Sequence, residues 1–138
     1  MRGYLDDKGD GPFVEPTILN VTRDDPKARE EIFGPVLCVI EVASNAEAVE
    51  VANDTAYGLA ASVFSGNGRD AIRAARDIRA GTVTVNCYGE GNIATPFGGY
   101  RQSGFGGRDN GLHAHDQYTE IKTIWIDLTD PKDGDNVT

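Results

Sequence analysis

Glu30-Glu31-Ile32-Phe33-Gly34-Pro35 sets two carboxylates against an aromatic ring just ahead of the apolar run at 36–42. Neighbouring residues in a helical turn cannot share a face, so one acid faces solvent and the other can point where Phe33 points. A carboxylate fixed by a Gly-Pro turn could grip the hydroxyls of a sugar while the ring covers a flat heterocycle. The simpler arrangement is a surface acid beside a core phenylalanine, and on residue chemistry alone it leads. Two thiols could act as nucleophiles. Cys38 lies inside the apolar run, where thiols are inert packing, and Cys87 follows a β-branched run with no evident Cys/His pairing, so the structural reading leads for both. His113-Ala114-His115-Asp116 suggests a metal, but i and i+2 side chains on a helix diverge and no further His or Cys completes a set. No metal site is expected.

The spaced glycines at 98–107 invite a phosphate-cradle reading. Such a cradle joins a strand directly to a helix and has an acidic residue about twenty positions on. Here the glycines sit deep in a loop, which points to tight turns and close backbone approach. The Asn-x-Thr triplets at 20–22, 53–55 and 136–138 come with no secretory signal and are taken as chance.

The elements that must position these residues follow from local pattern. Residues 13–21 read as extended, interrupted by Pro16. Residues 24–34 read as a short helix, with Asp25 as cap, Pro26 at the first helical position and Gly34-Pro35 as the stop. The run 36–42 is apolar enough for a strand covered on both faces. Ser44 with Glu47 forms a capping box for a helix carrying Ala46, Val49 and Ala52. A strand is expected at 59–65. An amphipathic helix follows, with Ala71, Ile72, Ala75 and Ile78 on one stripe and Gly81 as its stop. Residues 82–86 form another β-branched strand. The alternation predicts an α/β architecture with parallel crossovers. Residues 87–107 then hold seven of the 17 glycines in one long loop, which Tyr88, Phe97, Tyr100 and Phe105 favour as ordered and packed. A short helix is expected near 109–117. The segment 118–128 reads as a strand too apolar on both faces to remain a bare edge, and the acidic tail as frayed.

The chain has 138 residues, 39% of them hydrophobic, and a net charge of −9. That is one small domain, and the charge sets aside nucleic acid and anionic membrane as partners. Two cysteines without a disulfide framework, no apolar span and no signal core place the expected location in the cytoplasm.

Five stretches occur in order: "EEIFGPV", "AYGLAASVF", "AGTVTVNCY", "PFGGYRQSGFGGRDNGL" and "YTEIKTIWIDL". Together they resemble the C-terminal third of the NAD(P)-dependent aldehyde dehydrogenases, over residues 3–128. The wording is most similar to γ-glutamyl-γ-aminobutyraldehyde dehydrogenases and related aminoaldehyde enzymes. The resemblance implies an α/β fold: the C-terminal part of a three-layer catalytic domain with a parallel-type sheet at 1–118, an oligomerisation strand at 119–128 and a flexible tail at 129–138. In the family a Cys thiolate attacks the aldehyde, hydride passes to nicotinamide, and a Glu-activated water hydrolyses the thioester.

Carried over by position, Glu31 matches the carboxylate that grips the nicotinamide ribose, and Phe33 the aromatic beside it. Phe97 matches an aromatic of the substrate tunnel. Glu90 falls in the loop at the tunnel mouth, where an acid suits an amino-bearing aldehyde. NAD or NADP is the implied cofactor, with NAD favoured. The implied assembly is a homo-oligomer, dimer or tetramer, with the final strand extending a partner's sheet. The family's Gly-Gln-x-Cys nucleophile motif and Glu-Leu-Gly-Gly base motif do not occur, so no catalytic residue is expected in this chain, which alone should be inactive. The alternative is a truncated, non-catalytic binding or assembly module, or an inert remnant, pairing with full-length subunits.

Overall fold

A computed structural model describes residues 14–89 and 91–129. It contains two parallel strand pairs and two α-helices. β1 (Thr17–Asn20) pairs with β2 (Val36–Val39), Thr17 opposite Val36 and Asn20 opposite Val39. After α1 (Asn45–Asn53), β3 (Ala60–Val63) pairs with β4 (Thr82–Val85) across α2 (Gly68–Asp77), Ala60 opposite Thr82. The expected α/β alternation with parallel crossovers is present. Its sheet is divided into two pairs: β2 pairs with β1 and β3 with β4, and β2 and β3 do not pair.

Local chemistry explains both helices. At α1, Ser44 Oγ accepts from the Glu47 amide at 3.1 Å, and the Glu47 carboxylate reaches back to the Ala43 amide at 2.7 Å. At α2, Asn67 caps the start by accepting from the Arg69 amide. The buried stripe of α2 runs through Ala71, with Ala74, Ala75 and Ile78 half-buried. Ile72 departs from expectation and is 67% exposed: one position from Ala71 is about 100° around the helix, off the i, i+3, i+4, i+7 face.

Two expected features contract. The helix expected at 24–34 is a single 3₁₀ turn, Pro26–Ala28, capped by Asp25 at the Lys27 amide. The helix expected near 109–117 is the 3₁₀ segment Leu112–Tyr118, starting from Gly111 at φ 62°. In neither does local propensity have an apolar stripe to bury, and short helices are marginal without one. Gly81 is not the stop of α2 either. The helix ends at Asp77, with Ile78 as its extended cap, and the Asn53 side chain takes over its last turn: Asn53 Nδ2 donates to the Asp77 carbonyl at 3.0 Å and Oδ1 accepts from the Arg79 amide at 2.7 Å.

Among the described residues the only fully buried hydrophobic side chain is Ala71. Ile121 and Trp125 are fully or almost fully exposed, and segment 119–129 forms no ladder with the rest of the described chain. The acidic tail beyond Thr129 lies outside the described residues.

Candidate functional site

The glycine loop is organised by backbone approach. Phe97 and Asp109 exchange amide-to-carbonyl hydrogen bonds, each of 2.7 Å, which folds residues 97–109 into a closed flap. The flap lies against Gly81 so closely that a Cβ there would overlap the Gly98 carbonyl. The aromatics contribute less than expected. Arg108 covers the Tyr100 ring at 5.3 Å and Phe97 is half-buried, but Tyr88 and Phe105 stand in solvent. The loop is ordered because bare glycine backbones can touch, and ring burial is secondary.

Three openings include Leu59, the residue just before β3. One, of ≈ 520 Å³, is lined by Glu30 and Glu31, the Leu59–Ala61 stretch and Ser103. Phe97 lines two others, of ≈ 710 and ≈ 810 Å³. Leu59 is thus common to the Glu31 cleft and both Phe97 openings. Phe33 lines none of these openings and is 92% exposed. Glu90 lies outside the described residues, although Tyr88, Gly89 and Gly91 around it line the larger Phe97 opening.

The thiols stand apart from this arrangement. Cys38 is half-buried in β2 and donates to the Lys27 carbonyl at 3.5 Å, while Cys87 is exposed. His113 reaches Asp116 at 3.8 Å at the edge of the smaller Phe97 opening.

The segment leading into Glu31 is tied to α1 by two ion pairs. Arg23 meets Glu50 at 2.8 Å, and the Arg29 guanidinium meets the Asp54 carboxylate. The Arg29 hydrogen bond, with its charge, holds Asp54 below the usual carboxylate range. A carboxyl depressed in the fold contributes stability that is fully present above its unfolded value and is lost as pH falls through the folded one. The Arg29–Asp54 tie should therefore survive mild acid and release only below the ordinary Asp range. An NMR titration of the Asp54 carboxyl carbon checks this; a midpoint at the ordinary Asp value would refute it.

The sequence pattern of the Aldehyde dehydrogenase family matches residues 2–124. The chain belongs to the aldehyde dehydrogenase family. Aminoacetaldehyde dehydrogenase of Pseudomonas aeruginosa is 60% identical over 120 residues, which are 86% of this chain and 24% of that protein. The crystal structure of γ-glutamyl-γ-aminobutyraldehyde dehydrogenase from Burkholderia cenocepacia superposes with a TM-score of 0.76 at 57% identity, covering 81% of this chain and 23% of that one. Indole-3-acetaldehyde dehydrogenase AldA of P. syringae, a mutant solved with NAD+ and IAA, gives a TM-score of 0.80 at 50% identity, covering 92% and 26%. This aldehyde dehydrogenase chain thus spans about a quarter of the length of the relatives it matches. The α/β fold expected from the five stretches is the fold of these relatives.

Sequence reasoning missed the side chains that organise the site, Asn53, Arg29 and Arg101. Their partners lie 24 to 48 residues away in the chain, so no local pattern signals them.

Proposed function

We propose that this chain forms one wall of an NAD(P)-dependent aldehyde dehydrogenase site that oxidises an amino-bearing aldehyde to the acid. The observation that carries this reading is that the Glu31 cleft and both Phe97 openings share Leu59, the residue just before β3. A cofactor sugar in the cleft and an aldehyde in the openings would be brought together there. The residues fit the cofactor. Glu31 is an exposed carboxylate able to accept from two ribose hydroxyls, and Phe33 offers a free ring face to a flat heterocycle. When bound, NAD(P) supplies the hydride acceptor, with NAD favoured. Glu31 would hold the ribose, Phe33 would cover it and exclude water, and Phe97 would line the aldehyde's path. Glu90 at the mouth would attract an ammonium group on the substrate.

Residues 1–118 belong, on this reading, to a catalytic domain completed by other polypeptide, which supplies the nucleophile and base. Segment 119–128 would add as a strand to a second subunit's sheet, covering Ile121 and Trp125 in a dimer or tetramer. The exposed apolar surface equally suits a non-catalytic module that assembles with complete subunits.

Co-expression separates the two. The 138-residue chain is combined with the portion of P. aeruginosa aminoacetaldehyde dehydrogenase that precedes the matched region. NADH formation with an aminoaldehyde is expected from the pair and from neither part alone. A stable but inactive pair would favour the assembly module, no pairing would sink the catalytic reading, and no mixed oligomer with the full-length P. aeruginosa enzyme would sink the assembly module.

A further inference from the structure

A short turn separates the two clefts. Gln102 and Ser103 of the 3₁₀ turn Arg101–Ser103 line the Glu31 cleft, and Ser103 also lines the smaller Phe97 opening. The turn is fastened to the stretch before β3. The Tyr100 amide donates to the Gly58 carbonyl at 2.8 Å, the Gln102 amide to the Ala56 carbonyl at 3.1 Å, and the Gly58 amide to Ser103 Oγ at 3.1 Å.

Arg101 begins the turn with φ 54°. The other non-glycine residues with positive φ among those described are Asn86 and Asn110, a type that tolerates this region. An arginine keeps such a conformation only where its surroundings impose it. They do so through its side chain: one guanidinium nitrogen, Nη1, donates both to the Asn53 carbonyl at 2.8 Å and to the Thr55 carbonyl. The last carbonyls of a helix lack intrahelical donors and carry the negative end of its dipole, so a cation is the fitting partner. The intervening residue, Asp54, binds Arg29 two positions before Glu31. Consecutive residues at the end of α1 thus fix both walls.

We propose that Arg101 is a positioning residue that holds the partition between the two clefts, setting the distance from the Glu31 cleft to the Phe97 opening. It touches neither ligand and acts through the backbone of residues 100–103. The inference rests on the assignment of those clefts to nicotinamide ribose and aldehyde.

Two variants test it. Arg101→Met keeps the apolar stem and removes the donors. Arg101→Lys restores a single nitrogen able to serve both carbonyls, as Nη1 does. In the full 138-residue chain, hydrogen exchange at the Tyr100 and Gln102 amides should rise at least tenfold in the Met variant and return close to wild type in the Lys variant. The Thr82 and Asn86 amides, bonded across β3 and β4, should stay protected. In the reconstituted enzyme, KM for NAD+ and KM for the aldehyde should rise together by about tenfold in the Met variant, with kcat within about twofold, and Lys should rescue both. Unchanged exchange at 100 and 102, or unchanged KM values beside an active wild type, would overturn the proposal. Protection lost throughout β3 and β4 in both variants would overturn it in favour of a general folding role. An inactive wild-type reconstitution would overturn the cleft assignment, with the exchange data still deciding the anchor.

Discussion

Gly81→Ala releases the glycine flap. The added methyl would overlap the backbone of Gly98 and Gly99, which cannot turn aside as a side chain could. Forced overpacking costs 1–3 kcal/mol in ordinary cores, and a clash of methyl against carbonyl belongs at about 3 kcal/mol or above. The loss should appear as exposure of the Phe97 and Asp109 amides, whose mutual hydrogen bonds hold the flap closed, and as a fall in aldehyde turnover of the reconstituted enzyme. The start of α2 should be unaffected, because its Asn67 cap is local. A Gly66→Ala variant provides the contrast: nothing lies within 4 Å of its would-be Cβ, so protection of the flap should not change. Equal flap protection in Gly81→Ala and wild type would refute the assignment of Gly81 to close approach.

Glu31→Gln in the reconstituted enzyme should raise KM for NAD+ roughly 10- to 150-fold, as expected when hydrogen bonds to a charged group worth about 1.5–3 kcal/mol are weakened. KM for the aldehyde should move far less, since Glu31 lines neither of the Phe97 openings. Glu30→Gln is the matched control. Both acids line the same cleft, so the pair of variants decides which one binds. A larger effect at Glu30 would transfer the ribose grip to it. No effect at either would remove this cleft from cofactor binding.

Much of the secondary structure was legible because its signals are local. Ser44 with Glu47 announced α1, β-branched residues announced β4, and the alternation of patterns announced α/β. The same locality explains the errors. Asp25, Pro26 and Gly34 have the chemistry of helix ends, but the residues between them present no apolar face to bury, so only a turn forms. Gly81 carries the usual mark of a helix stop. Its actual role depends on Gly98, a backbone brought close only by the fold. Ile72 was assigned by hydrophobicity, whereas the angle around α2 decides which side chains meet the sheet.

For the site, the sequence by itself determined membership and candidate residues: five ordered stretches identified the family and marked Glu31, Phe33, Phe97 and Glu90. It also determined where local hydrogen bonds cap the helices. Tertiary structure alone decided that the Glu31 cleft and the Phe97 openings share Leu59, just before β3. It alone joined Arg29, Asn53 and Arg101 at the ends of the two helices. The physical reason is range. Caps, turns and periodicity are contacts between near neighbours, whose identities stand side by side in the chain. A carbonyl at a helix end looks the same in any sequence, and only folding determines which distant cation reaches it.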